Sequence, residues 1–146
     1  MEKELINTNI VLFDVDVTEK EEVIGLIADA MDKDGRLIDK KGYVEDVLKR
    51  EATSSTAIGF STATPHAKSV SVKSPSLAFV RLKQPMKWDD EEITMLFQIA
   101  VPSPGQGDRH MEILAQLFRN LVYDEFRDKL RAANSEQEIV DILKEF

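Results

Sequence analysis

Residues Ile10 to Val17 read I-V-L-F-D-V-D-V, and Val11, Phe13, Val15 and Val17 alternate with Asp14 and Asp16. That period of two predicts a half-buried strand. Thr18-Glu19-Lys20-Glu21 then reads as a capping box, with Thr18 as N-cap and Glu21 reaching back. Val23, Leu26, Ile27, Ala30 and Met31 follow at helical spacing, and Gly35 suits the C-terminal stop. A second helix is predicted from a cap at Asp39, with Tyr43, Val44, Val47 and Leu48 on its buried face. It runs toward Arg50 and Glu51 and should fray within Thr53-Ser54-Ser55-Thr56.

The pattern then changes to β. Ile58 and Phe60 alternate in a first run, Val70 and Val72 in a short second one, and Ser76 to Leu82 forms a third. Ile93 to Val101 is nearly all apolar, so it reads as a central strand buried on both faces. Gln84 to Asp90 lies between these runs and reads as a loop. Pro102 to Asp108 is a second break. Beyond it Met111, Leu114, Leu117, Phe118 and Leu121 share one helical face. Phe126 and Leu130 mark a further helix. Ser135 with Glu138 makes another capping box, followed by Ile139, Ile142, Leu143 and Phe146. Strands in mid-chain with helices on both sides predict a single α/β domain over residues 1–146, a mixed sheet flanked by helices. No repeat, low-complexity segment or linker interrupts it.

Composition narrows the function. A chain of 146 residues can bury a core without staples. It contains no cysteine, which excludes disulfides, thiolate metal sites and cysteine nucleophiles within these residues and suits a cytoplasmic protein. Met1-Glu2-Lys3-Glu4 leads into no apolar run suited to a signal peptide or a spanning helix. The net charge of −8, with no dense Lys/Arg block, argues against nucleic acid as a partner. An acidic face can instead steer a partner that carries a basic patch, or simply keep the protein soluble.

Candidate chemistry rests on few residues. His66 follows Pro65 at the end of Thr56-Ala57-Ile58-Gly59-Phe60-Ser61-Thr62-Ala63-Thr64, a run of small residues. Pro65 restricts Thr64 to extended geometry, so the chain is expected to leave a strand there and turn, exposing His66 on a sheet rim. Histidine can act as nucleophile or acid/base near neutral pH. Alone, the Pro-His pair better describes an ordinary surface histidine in a loop. His110 falls in the first turn of a predicted helix, where free N–H groups favour a phosphate; a capping-region histidine without a role fits as well. Arg50, at the end of the second helix, either interacts with the helix dipole or clamps phosphate oxygens with its planar fork. Two distant histidines make no metal site, and Gly105-Gln106-Gly107 is too short for a nucleotide cradle. Asp89-Asp90-Glu91-Glu92 reads as a solvated loop, and Trp88 as a packing anchor.

Taken in order, these segments resemble the enzyme IIA domain of the fructose/mannitol class in the bacterial phosphoenolpyruvate-dependent sugar phosphotransferase system (PTS). The family pattern is an Arg-Glu pair, a Ser/Thr run, T-G-I-G-x-G-x-A-x-P-H, then a strand and a Pro-x-x-W loop. Here it reads Arg50-Glu51, Thr53 to Thr56, Ile58-Gly59, Ala63, Pro65-His66 and Pro85 to Trp88. His110-Met111-Glu112-Ile113-Leu114 resembles the family's second histidine and its helix. Ala57 and Ser61 replace common glycines, and Thr64 replaces a common apolar residue. The resemblance implies that His66 is the phosphorylated histidine, with Arg50 and His110 as its partners, and that no cofactor or metal takes part. It implies a phosphoryl donor, the small carrier HPr, and an acceptor cysteine on a separate enzyme IIB chain. Contact with the membrane would be indirect, through the IIB/IIC transporter. A regulatory branch of the same fold, the nitrogen-related enzyme IIA, signals by its phosphorylation state and is the alternative.

Overall fold

The computed structural model describes residues 4–105 and 107–144, with side chains for all of these except 107–110. A short 3-10 turn (Thr8–Ile10) leads into β1 (Val11–Val15), followed by α1 (Lys20–Lys33) and α2 (Lys40–Thr53). The middle of the chain holds β2 (Ala57–Gly59), β3 (Thr62–Ala63), β4 (His66–Ser69), β5 (Ser76–Trp88) and β6 (Glu91–Pro102). Three helices close it: α3 (Gly107–Leu121), α4 (Asp124–Ala132) and α5 (Glu136–Lys144).

The sheet runs β1-β5-β6-β3-β2, and β4 also pairs with β6. The β1–β5, β3–β6 and β4–β6 pairs are parallel, whereas β5–β6 and β2–β3 are antiparallel. Residues Ile93 and Met95 to Val101 are buried, as the apolar run predicts. Phe79 and Phe97 face each other across β5–β6 with ring centroids 5.2 Å apart. Helices α1 and α2 pack on one another and on β5 and β4; α3 packs on β6, α5 on β1, and α4 joins the last two. Gln98 enters the α1 side of this core, where its Nε2 donates to the Ile24 carbonyl at 3.3 Å.

Helix ends follow the local chemistry unevenly. Gly35 (φ 74°) ends α1 in a Schellman arrangement, with Gly35 N–H on the Asp32 carbonyl and Arg36 N–H on Met31, both at 3.0 Å. The expected Thr18 capping box is absent: Glu19 is the N-cap and makes no side-chain cap bond. Asp39 is the N-cap of α2, again without a side-chain bond. Half of the α5 box forms. Ser135 Oγ accepts the Glu138 N–H at 3.2 Å, while the Glu138 carboxylate reaches the N–H of Asn134, one residue before the cap.

Other expectations change. The first strand stops at Val15, and Asp14, at φ 54°, sits within an irregularity of the β1–β5 register between Leu12 and Val15. Phe60 belongs to a tight turn: Phe60 and Ser61, both at φ 56°, form the two-residue loop between β2 and β3. Val70 is exposed beyond β4, and Val72 is buried in a lone bridge to Leu37. Gln84 to Trp88 is not a loop; β5 runs through it. Pro85 falls in the irregular pairing between Arg81 and Met86, where a missing N–H is tolerated. Beyond it Met86 and Trp88 are buried and Lys87 is exposed. On α3 the buried face is Ile113, Leu117 and Leu121, whereas Met111 and Phe118 are exposed. Phe146 and Gln106 lie outside the described residues.

The β2–β3 turn is a strained one for phenylalanine, a conformation that costs about 1–3 kcal/mol. It is held from α4. The Arg127 guanidinium lies 4.2 Å over the Phe60 ring. Arg131 Nη2 donates to the Phe60 carbonyl at 3.0 Å, and Thr62 Oγ1 donates to the same oxygen at 2.9 Å. Arg81 of β5 fixes α4 in turn, donating from Nη1 to the carbonyls of Leu130, Arg131 and Ala133 at 2.9–3.1 Å. Cations belong at helix C-termini, where carbonyls lack partners.

Candidate functional site

His66 opens β4 and pairs with Ile99 of β6. It is only 9% exposed, contrary to the expected open rim. The small residues before it explain this. Ala63, Thr62 and Thr64 are buried, so the chain passes close to β6 before β4 begins, and Ile99 N–H donates to the Pro65 carbonyl at 3.0 Å. Behind this contact the buried Tyr43 hydroxyl donates to the Ile99 carbonyl at 3.1 Å, and burial raises its pKa well above the ordinary phenol.

The imidazole has a defined tautomer. Nδ1 lies 2.8 Å from the Thr64 carbonyl, an oxygen that can only accept. Nδ1 therefore carries the hydrogen, and in the neutral ring the lone pair is on Nε2. Burial holds the His66 pKa below the ordinary histidine value; the Thr64 carbonyl acts against this, Arg50 lowers it further, and Glu51 raises it. The ring is thus neutral at physiological pH, which is what nucleophilic attack by an imidazole nitrogen requires.

Arg50 lies in the last turn of α2, half-buried. Its Nη1 donates to the Ser54 carbonyl at 2.9 Å and to Ser54 Oγ at 3.4 Å. This is the helix-end interaction expected of an arginine there, yet its charge also reaches His66. The structure thus brings Arg50 and His66 to one site. His110 falls in the first turn of α3, the helix packed on β6; its side chain lies outside the described residues.

The residues beneath the site stood in the sequence pattern without an assigned role in the chemistry: Glu51 in the Arg-Glu pair, Thr56 in the Ser/Thr run and Trp88 in the Pro-x-x-W loop. Glu51, next to Arg50, points inward and is 7% exposed. Its carboxylate accepts from Trp88 Nε1 at 3.0 Å and from the Thr56 hydroxyl at 2.5 Å, and Lys20 Nζ stands 3.4 Å away. Lys20 also pairs with Asp89 at 2.9 Å and lies 5.2 Å from the centroid of the Trp88 ring. Trp88 is the packing anchor expected, with its N–H satisfied. Asp89 is tied rather than merely solvated, and hydrogen bonds from Ser55 and Lys20 lower its pKa. A signal for the burial of Glu51 was its place on the same helical face as Val47 and Tyr43, four and eight residues earlier. Among the described residues no helix is long and apolar enough to cross a membrane.

The mixed α/β sheet thus holds a neutral, mostly buried imidazole at the start of β4, within reach of the Arg50 charge. The family model for "Phosphoenolpyruvate-dependent sugar phosphotransferase system, EIIA 2" matches residues 4–146, and the chain belongs to that family, the fructose/mannitol class of PTS enzyme IIA. Domains of this family act as phosphohistidine carriers. The chain is 37% identical over 145 residues to the fructose-specific EIIABC component of Bacillus subtilis, covering 97% of this chain but 23% of that protein. It is 36% identical over 129 residues to the fructose-specific EIIA component of Haloferax volcanii, covering 86% of this chain and 83% of that one. In fold it resembles the nitrogen regulatory protein IIA-Ntr of Neisseria meningitidis (TM-score 0.86, 23% identity, 95% and 96% of the two chains covered). It also resembles IIA mannitol of Escherichia coli (TM-score 0.79, 20% identity, 94% and 98% covered).

Proposed function

We propose that His66 is the phosphoryl carrier, taking the group from the phosphohistidine of HPr and passing it to a cysteine of an enzyme IIB in fructose- or mannitol-type sugar uptake. The observation that carries this reading is the 2.8 Å bond from Nδ1 to the Thr64 carbonyl, which leaves the Nε2 lone pair as the nucleophile. In the first transfer Nε2 attacks phosphorus in line, a new N–P bond forms, and the donor's N–P bond breaks with its electron pair returning to the donor ring. In the second, the cysteine thiolate attacks and the N–P bond at His66 breaks. The absence of cysteine from the chain places that acceptor outside these residues.

Phosphoryl transfer depends mostly on positioning and on stabilising charge spread over the equatorial oxygens. Arg50 supplies a planar donor fork for those oxygens, and His110 adds a donor from the start of α3. Identity to the fructose-specific relatives supports a transport role. The regulatory reading rests on likeness to IIA-Ntr at 23% identity, which speaks to the fold alone.

The test is phosphorylation in vitro. Incubated with phosphoenolpyruvate, enzyme I and HPr, the intact protein gains one acid-labile phosphoryl group, and His66→Ala gains none. Full labelling of His66→Ala would sink the proposal.

A further inference from the structure

Glu51 is buried at the end of a helix, where a carboxylate is costly unless it is well paired. The structure supplies it with the Trp88 indole N–H, Lys20 Nζ, and two donors from one residue, Thr56. Thr56 N–H lies 3.4 Å from Oε1, and the Thr56 hydroxyl lies 3.0 Å from Oε1 and 2.5 Å from Oε2. Thr56, held in this way, turns its carbonyl toward Thr64. There it accepts Thr64 N–H at 2.9 Å and Thr64 Oγ1–H at 3.4 Å. The Thr64 carbonyl then accepts His66 Nδ1–H at 2.8 Å. An unbroken series of hydrogen bonds thus runs from Glu51 to the imidazole across the base of the β2–β3 hairpin. Arg50 and Glu51 are adjacent on α2 but diverge, one toward Ser54 and the other toward Thr56. The same carboxylate therefore also fixes the hairpin relative to the helix end that carries Arg50.

We propose that Glu51 is a positioning residue for phosphoryl transfer, setting the tautomer and orientation of the His66 ring through Thr56 and Thr64. This rests on the reading of His66 as nucleophile. It assigns Glu51 no contact with the phosphoryl group. Without the tie, the Thr64 carbonyl is no longer aimed at Nδ1, and the ring is released to the tautomer that carries its hydrogen on Nε2, which cannot attack.

The experiment compares Glu51→Gln, Thr56→Val and Thr56→Ser with the unmodified protein, each checked for folding by circular dichroism. Nitrogen-15 NMR of the ring reads the tautomer directly, and rapid-quench assays read phosphoryl uptake from phospho-HPr. Unmodified protein and Thr56→Ser, which keeps the hydroxyl, should show the Nδ1–H tautomer and equal rates. Thr56→Val and Glu51→Gln should populate the Nε2–H tautomer and lose about tenfold to a hundredfold in maximal rate, the scale of a misplaced reacting group. The half-saturating concentration of phospho-HPr should stay unchanged. Folded Thr56→Val with the original tautomer and rate overturns the proposal, as does Thr56→Ser behaving like Thr56→Val. Should Glu51→Gln fail to fold, the two Thr56 variants still decide. If the unmodified protein accepts no phosphate, the carrier reading fails by itself, while the NMR comparison still judges the role of Glu51.

Discussion

Among the buried charges of the described residues, Arg36 and Glu51 are treated differently. Arg36, fully enclosed after α1, is neutralised by direct contact: its Nε lies 2.7 Å from Asp34 Oδ2. Asn7 and Asn9 donate to the same carboxylate at 2.9 and 2.8 Å, and Arg36 Nη1 reaches the Leu5 and Pro75 carbonyls and Ser76 Oγ. This cluster ties the N-terminal segment to the start of β5. Glu51 instead has its cation 3.4 Å away and shared with Asp89, and its closest partners are neutral donors. The first charge is cancelled where it stands; the second keeps a field that reaches His66. On the proposal above, the contrast separates a charge that serves the fold from one that serves a neighbour.

Mutations can break this division at either end. The largest effect is expected for Arg36→Ala, which removes the guanidinium from Asp34 and leaves the enclosed Leu5 and Pro75 carbonyls and Ser76 Oγ without their donor. It should cost about 3–5 kcal/mol of stability in denaturant unfolding. Whatever fraction remains folded should still take up phosphate at the unmodified rate; a slower rate would place Arg36 in the site after all.

Arg50→Ala should do the reverse. If Arg50 acts as proposed, its loss removes a charged donor from the transferring group and slows phosphoryl uptake by about a hundredfold to a thousandfold. Stability should move by no more than about 0.5 kcal/mol, because only the helix-end contact with Ser54 goes. A normal uptake rate would remove Arg50 from the mechanism.

The finest test is the pH dependence. The folded His66 pKa is lowered, so below about pH 6.5 the unfolded chain binds a proton that the folded chain still refuses. Stability from this group should fall as pH drops through that window and level off below the folded pKa. His66→Gln should lack the component. The check is the difference between the two proteins' unfolding free energies at neutral pH and at about pH 5.5; an unchanged difference would mean that the ring is solvated.

Much of the fold can be read from local pattern. The apolar run of β6, the Gly35 stop and the Tyr43–Val47 face all depend on neighbours within a turn or two, or on burial from every side. The misreadings occur where distant residues decide. The positive φ of Phe60 carries no Asn-Gly signal and depends on Arg127 and Arg131. The extension of β5 past Pro85 depends on burying Trp88 over Glu51, although the alternation of Met86, Lys87 and Trp88 already hinted at it. At the site, motif order brought out His66 and Arg50, while the enclosure of His66 depends on β6, and the importance of Thr56 and Thr64 only becomes visible once the hairpin closes.

The grip of α4 on the β2–β3 turn also has a consequence for synthesis. A chain emerging from the ribosome N-terminus first presents His66 and its hairpin long before Arg127 and Arg131 exist. The strained Phe60 turn has no clamp during that interval, so the tip of the hairpin is fixed only when α4 docks. The turn that precedes the histidine would stay unclamped until most of the last third of the chain has been made.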